Sequence, residues 1–165
     1  MTLRSKSAQQ TLRIGRELGK RLNGGEIVAL QGALGSGKTI FVRGLAQGLG
    51  IRQPGEVRSP TFNLIQEHRG SIPLCHVDLY RLSAGEVRDL GLEEYWGEEG
   101  GWVTAIEWAD KARGMIPRRD KRHPVLWIRL ETASRSQRDL ILEEDGHWRN
   151  VLEPCRKKFQ KKSWR

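Results

Sequence analysis

The stretch Gly32-Ala33-Leu34-Gly35-Ser36-Gly37-Lys38-Thr39 follows an apolar run, Ile27-Val28-Ala29-Leu30, and precedes Phe41, Val42, Leu45, Ala46 and Leu49 at helical spacing. A buried strand, a glycine-rich turn and a helix in that order, around the pattern G-x-x-x-x-G-K-[ST], make a phosphate-binding P-loop. Gly32, Gly35 and Gly37 let the backbone fold tightly enough to aim several N–H groups at a polyphosphate. Lys38 then reaches the outer phosphates, and the Thr39 hydroxyl suits magnesium. The helix that the loop opens turns its positive dipole end toward the anion, and Gly48 and Gly50 supply its stop.

Upstream, Ala8, Leu12, Gly15, Gly19 and Leu22 share one helical stripe, with Leu18 beside it, so residues 7–22 read as an amphipathic helix ending at Asn23-Gly24-Gly25. Downstream, residues 52–60 are rich in proline and glycine and read as a loop, residues 61–65 alternate like a strand, 68–71 turn, and 72–77 return as a second strand. Ser83 and Glu86 form a capping box that predicts a helix through Leu90 or beyond. Residues 98–101 turn into a compact apolar strand over 102–106 that ends at Glu107. Residues 125–130 and 138–142 pair as a late hairpin, after which Asp145-Gly146 turns the chain toward its end. The expected fold is α/β: a single P-loop NTPase-like domain with a mixed, mostly parallel central sheet flanked by helices and a late antiparallel hairpin. The domain is placed at 1–153, and 154–165 is expected to be a flexible basic tail.

The 165 residues suffice for one domain with a real core and are too few for two ordinary ones. No apolar run reaches 18 residues, and the first residues lack the apolar centre of a secretory signal, so a soluble, cytoplasmic protein is expected. Cys75 and Cys155 lie far apart without metal-like spacing, and the four histidines form no ligand cluster, so neither a disulfide nor a structural metal is expected. The formal charge of +9 belongs to the ends. Residues 1–21 carry six basic side chains against Glu17, residues 154–165 carry six against none, and the body between them has 17 basic and 19 acidic residues. The basic end segment, with Phe159 and Trp164 interleaved, suits contact with RNA phosphates, although a solvated terminus is the plainer reading. Neither DNA nor a membrane is expected as a partner.

A P-loop enzyme needs a second carboxylate on the magnesium side and a group that places the attacking water, because phosphoryl transfer is mainly positioning and charge stabilisation. Asp78 closes the run Leu74-Cys75-His76-Val77, and Glu107 closes Val103-Thr104-Ala105-Ile106. Strand ends are where open α/β sheets put their chemistry. Either acid alone could be an ordinary solvated strand terminus, and spacing leaves their roles interchangeable. Ser59-Pro60-Thr61-Phe62 offers two hydroxyls beside a rigid proline, suited either to a switch-like loop sensing a terminal phosphate or to a plain turn with a hydroxyl cap.

The order GALGSGKT, SPTFNL, HVDLYRL and IEW resembles the TsaE family, also called YjeE, P-loop ATPases of bacterial tRNA threonylcarbamoyladenosine synthesis. The four motifs cover residues 26 to about 110, and HVDLYR with IEW is far more specific to that family than the P-loop is. The resemblance implies binding and hydrolysis of ATP to ADP with Mg2+, in support of TsaB and TsaD homologues that place threonylcarbamoyl on the adenosine beside the anticodon of tRNAs reading codons that start with A. It further implies that Gly32, Ala33, Leu34, Gly35, Ser36, Gly37, Lys38, Thr39 and Ile40 hold the nucleotide, that Thr39 and Glu107 hold magnesium, and that Asp78, with Lys38, is catalytic. Trp108 would cover the nucleotide, Thr11 would lie near the adenine, and Ser59, Pro60, Thr61 and Phe62 would be the switch-like loop. The basic segment 154–165 and the positive run 113–122 depart from the family pattern.

The rival reading is a P-loop kinase acting on a small-molecule acceptor, which would need an arginine-bearing lid over the phosphates. Only the run 113–122 could be taken for one. A nucleotide-gated binding module that turns over only with partners is the third reading. Guanine specificity is not expected, since the Asn-Lys-x-Asp signature is missing.

Overall fold

A computed structural model describes residues 1–59, 64–96, 101–118, 123–143 and 146–159. Seven strands form one sheet in the order β1-β7-β6-β2-β5-β4-β3. They are β1 (Thr2–Ser5), β2 (Ile27–Gln31), β3 (Ile65–His68), β4 (Leu74–Asp78), β5 (Val103–Glu107), β6 (Val125–Thr132) and β7 (Arg138–Glu143). The central four, β6, β2, β5 and β4, run parallel, while β3 pairs antiparallel with β4 and the β6–β7 hairpin carries β1 on its outer side. The mixed sheet with a parallel centre and a late hairpin is therefore present as expected. Strands β2, β4 and β5 are buried on both faces because both faces are covered, which is why they read as largely apolar runs.

Among the described residues three α-helices, α1 (Ala8–Gly19), α2 (Lys38–Gly48) and α3 (Gly146–Phe159), cover one face. There Val28 and Leu30 of β2 share a core with Ile14, Leu18, Phe41, Leu45 and Trp148. Ile27 and Ala29, pointing the other way, pack with Val77, Ile106, Val87 and Leu92, beneath short 3-10 turns rather than α-helices. Helices α1 and α2 cross closely enough that a Cβ on Gly15 or Gly44 would meet a backbone carbonyl of the other helix, that of Phe41 or Leu12 respectively.

Several expectations change. The capping box at Ser83 exists, with the Ser83 N–H donating to Glu86 Oε2 at 2.8 Å, but it opens a 3-10 turn, Glu86–Leu90, that Gly91 stops in the left-handed region at φ 63°. Strand β3 begins only at Ile65, and residues 61–63 of the expected strand lie outside the described residues. The short strand β1 was not expected; its alternation buries Leu3 and Ser5 against β7. At the C-terminal end, the boundary placed between 153 and 154 falls inside α3. Trp148, Leu152 and Cys155, one helical stripe, are buried in the core, so the basic segment starts as packed helix rather than tail. Cys75 and Cys155 are free and buried, and burial pushes the Cys75 thiol up to about 12. No helix among the described residues is long and apolar enough to cross a membrane.

Candidate functional site

The C-terminal ends of β2, β4 and β5 open onto one cleft of about 250 Å³, lined by Leu34, Gly35, Gly37, Lys38, Thr39, Ile40, Ser59, Asp78, Tyr80, Glu107 and Trp108. Parallel pairing sets its geometry: Asp78 and Glu107 are register partners on β4 and β5, so both carboxylates leave the sheet at the same level and on the same face. Helix α2 starts at the edge of this cleft, and the first N–H groups of an α-helix have no partner within it. The loop before it needs its glycines. Gly37 caps α2 at φ 103°, and Gly32, at φ 141°, approaches so closely that a Cβ would lie 2.5 Å from the Leu130 carbonyl oxygen.

The Lys38 ammonium donates to the Gly32 and Ala33 carbonyls at 2.8 and 3.0 Å and sits 4.0 Å from the centre of the Trp108 ring. Burial pushes its pKa below the usual lysine value, and Glu107, Asp78 and Asp110 pull the other way. The Thr39 hydroxyl donates to Glu107 Oε2 at 3.0 Å, while the other carboxylate oxygen, Oε1, meets His76 Nε2 at 2.9 Å. Asp78 is held on both oxygens, accepting the Ser59 hydroxyl and, at 3.0 Å, the Tyr80 N–H.

Trp108, directly after Glu107, takes the left-handed region at φ 58°, the one non-glycine residue among those described to do so. That conformation costs about 1 kcal/mol or more and turns the indole back over the cleft against Tyr80, with ring centres 5.0 Å apart. Lys111 fastens the neighbouring segment, donating to the carbonyls of Leu79, Tyr80 and Leu82. Arg138 of β7 braces the P-loop from outside through Ser36 O at 3.1 Å and Gly35 O at 3.3 Å.

Most of the residues singled out from sequence thus meet at one place. Ala33, Ser36 and Gly32 build the loop itself, although Ser36 points its hydroxyl into a buried position without a partner. Thr11 does not reach the cleft. It is 1% exposed, lies beneath Gly37, and shares a hydrogen bond with Ser5 Oγ at 2.8 Å, so its hydroxyl is engaged in holding β1 to α1. Pro60, Thr61 and Phe62 lie outside the described residues. Sequence reasoning missed the parts of His76, Tyr80, Lys111 and Arg138. Two of these, His76 and Tyr80, stand inside the motif HVDLYRL and were open to notice there.

The family model described as threonylcarbamoyl adenosine biosynthesis protein TsaE matches residues 5–140. A tRNA threonylcarbamoyladenosine biosynthesis protein TsaE from Treponema pallidum is 45% identical over 114 residues, 68% of this chain and 82% of that protein. Its namesake from Bacillus subtilis is 37% identical over 129 residues, 78% of this chain and 75% of that protein. The crystal structure of YdiB from Bacillus subtilis superposes with a TM-score of 0.74 at 28% identity, covering 96% of this chain and 95% of that one. The matched segment contains the P-loop, both carboxylates and Trp108, so the likeness covers the cleft as well as the sheet that builds it, and the chain belongs to the TsaE family.

Proposed function

We propose that this chain is a magnesium-dependent ATPase that supports TsaB and TsaD homologues in placing threonylcarbamoyl on the adenosine beside the anticodon of tRNAs reading codons that start with A. The observation that carries the ATPase reading is the convergence of Lys38, the Thr39–Glu107 pair and Asp78 on one cleft at the start of α2. The pathway is the one named for the relatives.

Magnesium fits the residues present. Thr39 Oγ1 and Glu107 Oε2 are hard oxygen donors 3.0 Å apart, which matches the edge of an octahedron with bonds of about 2.1 Å. When bound, the ion would neutralise charge on the outer phosphate oxygens. The chain's own groups do the rest. Lys38 exchanges two loop carbonyls for phosphate oxygens, a gain because a charged acceptor replaces neutral ones. Asp78, fixed by Ser59 and Tyr80, orients the attacking water, and Trp108 with Tyr80 walls the nucleotide from solvent.

A free-standing kinase is the weaker reading. Of the run 113–122, Arg113 stacks on Trp127, 4.8 Å from the ring centre, rather than over the cleft. Contact with tRNA is supported by charge placement. Residues 8–21 and 146–159, which are α1 with the two residues after it and α3, carry eight basic side chains against Glu17 and Glu153, a net of +6 in a chain of +9. Phosphate release from ATP, measured with the protein alone and with a TsaB–TsaD complex plus tRNA, tests the proposal. Low turnover alone and marked stimulation by the complex are expected; turnover indifferent to the complex would overturn it.

A further inference from the structure

Glu107 lines the cleft although the residue is only 2% exposed, and its two carboxylate oxygens have different partners. Oε2 takes the Thr39 hydroxyl; Oε1 takes His76 Nε2 at 2.9 Å, from a ring that is fully buried. His76 stands two residues before Asp78 on β4, with Ala105 as its register partner on β5. The row Val103, Ala105, Glu107 has its smallest side chain there, which gives the imidazole room to lie along the sheet toward Glu107.

The hydrogen bond fixes which ring nitrogen donates. A carboxylate oxygen facing a ring nitrogen can only accept from it, so Nε2 is the donor, and Nδ1 has no partner among the described residues. The opposite tautomer would bury an orphaned N–H and turn a lone pair toward the carboxylate. His76 therefore donates from Nε2 to Oε1.

We propose that His76 is a positioning residue for the magnesium-side carboxylate: its Nε2–H pins Oε1 of Glu107 so that Oε2 stays beside Thr39, facing the ion. Ligand carboxylates held by such outer partners lose roughly 10- to 100-fold in metal affinity when the partner is removed. The inference rests on the magnesium reading of the cleft and adds a residue to it.

The test is binding of a fluorescent ADP analogue, read by anisotropy while Mg2+ is titrated, for the wild type, His76→Leu and His76→Gln, with melting curves in EDTA for all three. Glutamine can return an N–H near the position of Nε2, whereas leucine fills the space without a donor. The expected result is a half-saturating Mg2+ concentration raised about 10-fold or more in His76→Leu and largely restored in His76→Gln, with metal-free affinity for the analogue unchanged. Should His76→Leu melt like the wild type and keep its Mg2+ dependence, or should both variants shift alike, His76 is a core filler and the proposal is wrong. Should wild-type binding ignore Mg2+ altogether, the magnesium reading itself fails and takes the proposal with it.

Discussion

Asp78, proposed to orient the attacking water, is held through both of its carboxylate oxygens. Oδ1 accepts a backbone N–H from Tyr80 and Oδ2 accepts the Ser59 hydroxyl, and these two hydrogen bonds fix its orientation. Asp78→Asn keeps the shape and the Oδ1 acceptor but replaces the other oxygen by a donor. Phosphate release should fall by about 100-fold or more, the usual scale for a lost general base, while ADP affinity stays within about 3-fold. Equal losses in both would place Asp78 in binding instead. Glu107, tied to Thr39, is expected to behave in the opposite sense. That division of labour is what the sequence left open. Both acids close apolar runs and look alike in a string of letters. Strand register puts them side by side, and only their partners differ: Glu107 meets a hydroxyl and an imidazole, Asp78 a hydroxyl and an amide.

At the level of elements, the contact between α1 and α2 sets how the P-loop helix sits. The Gly44 Cα faces the Leu12 carbonyl of α1 with no space for a methyl group, and the obstacle is backbone rather than a movable side chain. Gly44→Ala gains up to about 1 kcal/mol of helix propensity but forces the helices apart at a cost of about 1–3 kcal/mol. The steric effect should win, lowering the melting temperature; a stabilised variant would show that the crossing is looser than described. The P-loop, its strand and its helix were legible because each is set by residues within a dozen positions of one another. Helix α3 was not, because the six basic residues of 154–165 argued for a tail, and the stripe Trp148, Leu152, Cys155 went unread. Strand β1 was hidden for another reason. Four residues carry too little pattern, and their partner, β7, lies more than 130 residues away.

Across the whole molecule, Glu17 joins the two basic helices, with Lys20 of its own turn and Lys158 of α3 both at 3.1 Å. The hydrogen bonds from Lys20 and then Lys158 draw its pKa down to about 2 from 4.5. A carboxylate lowered in the folded state adds stability above its unfolded pKa and loses it as pH falls toward the folded value, here between about pH 4.5 and about 2. Acid unfolding followed by tryptophan fluorescence should therefore be steeper through that window in the wild type than in Glu17→Gln; identical curves would mean that solvent screens the clasp. The pairing of Asp78 with Glu107 has a consequence for inheritance. Because side chains alternate along a strand, a single codon inserted within β5 would send the carboxylate to the far side of the sheet, and two codons would restore the side but displace it by about 6.6 Å. Length changes are thus filtered by parity and by distance inside these strands, and drift in this gene is free to lengthen only the connections between them.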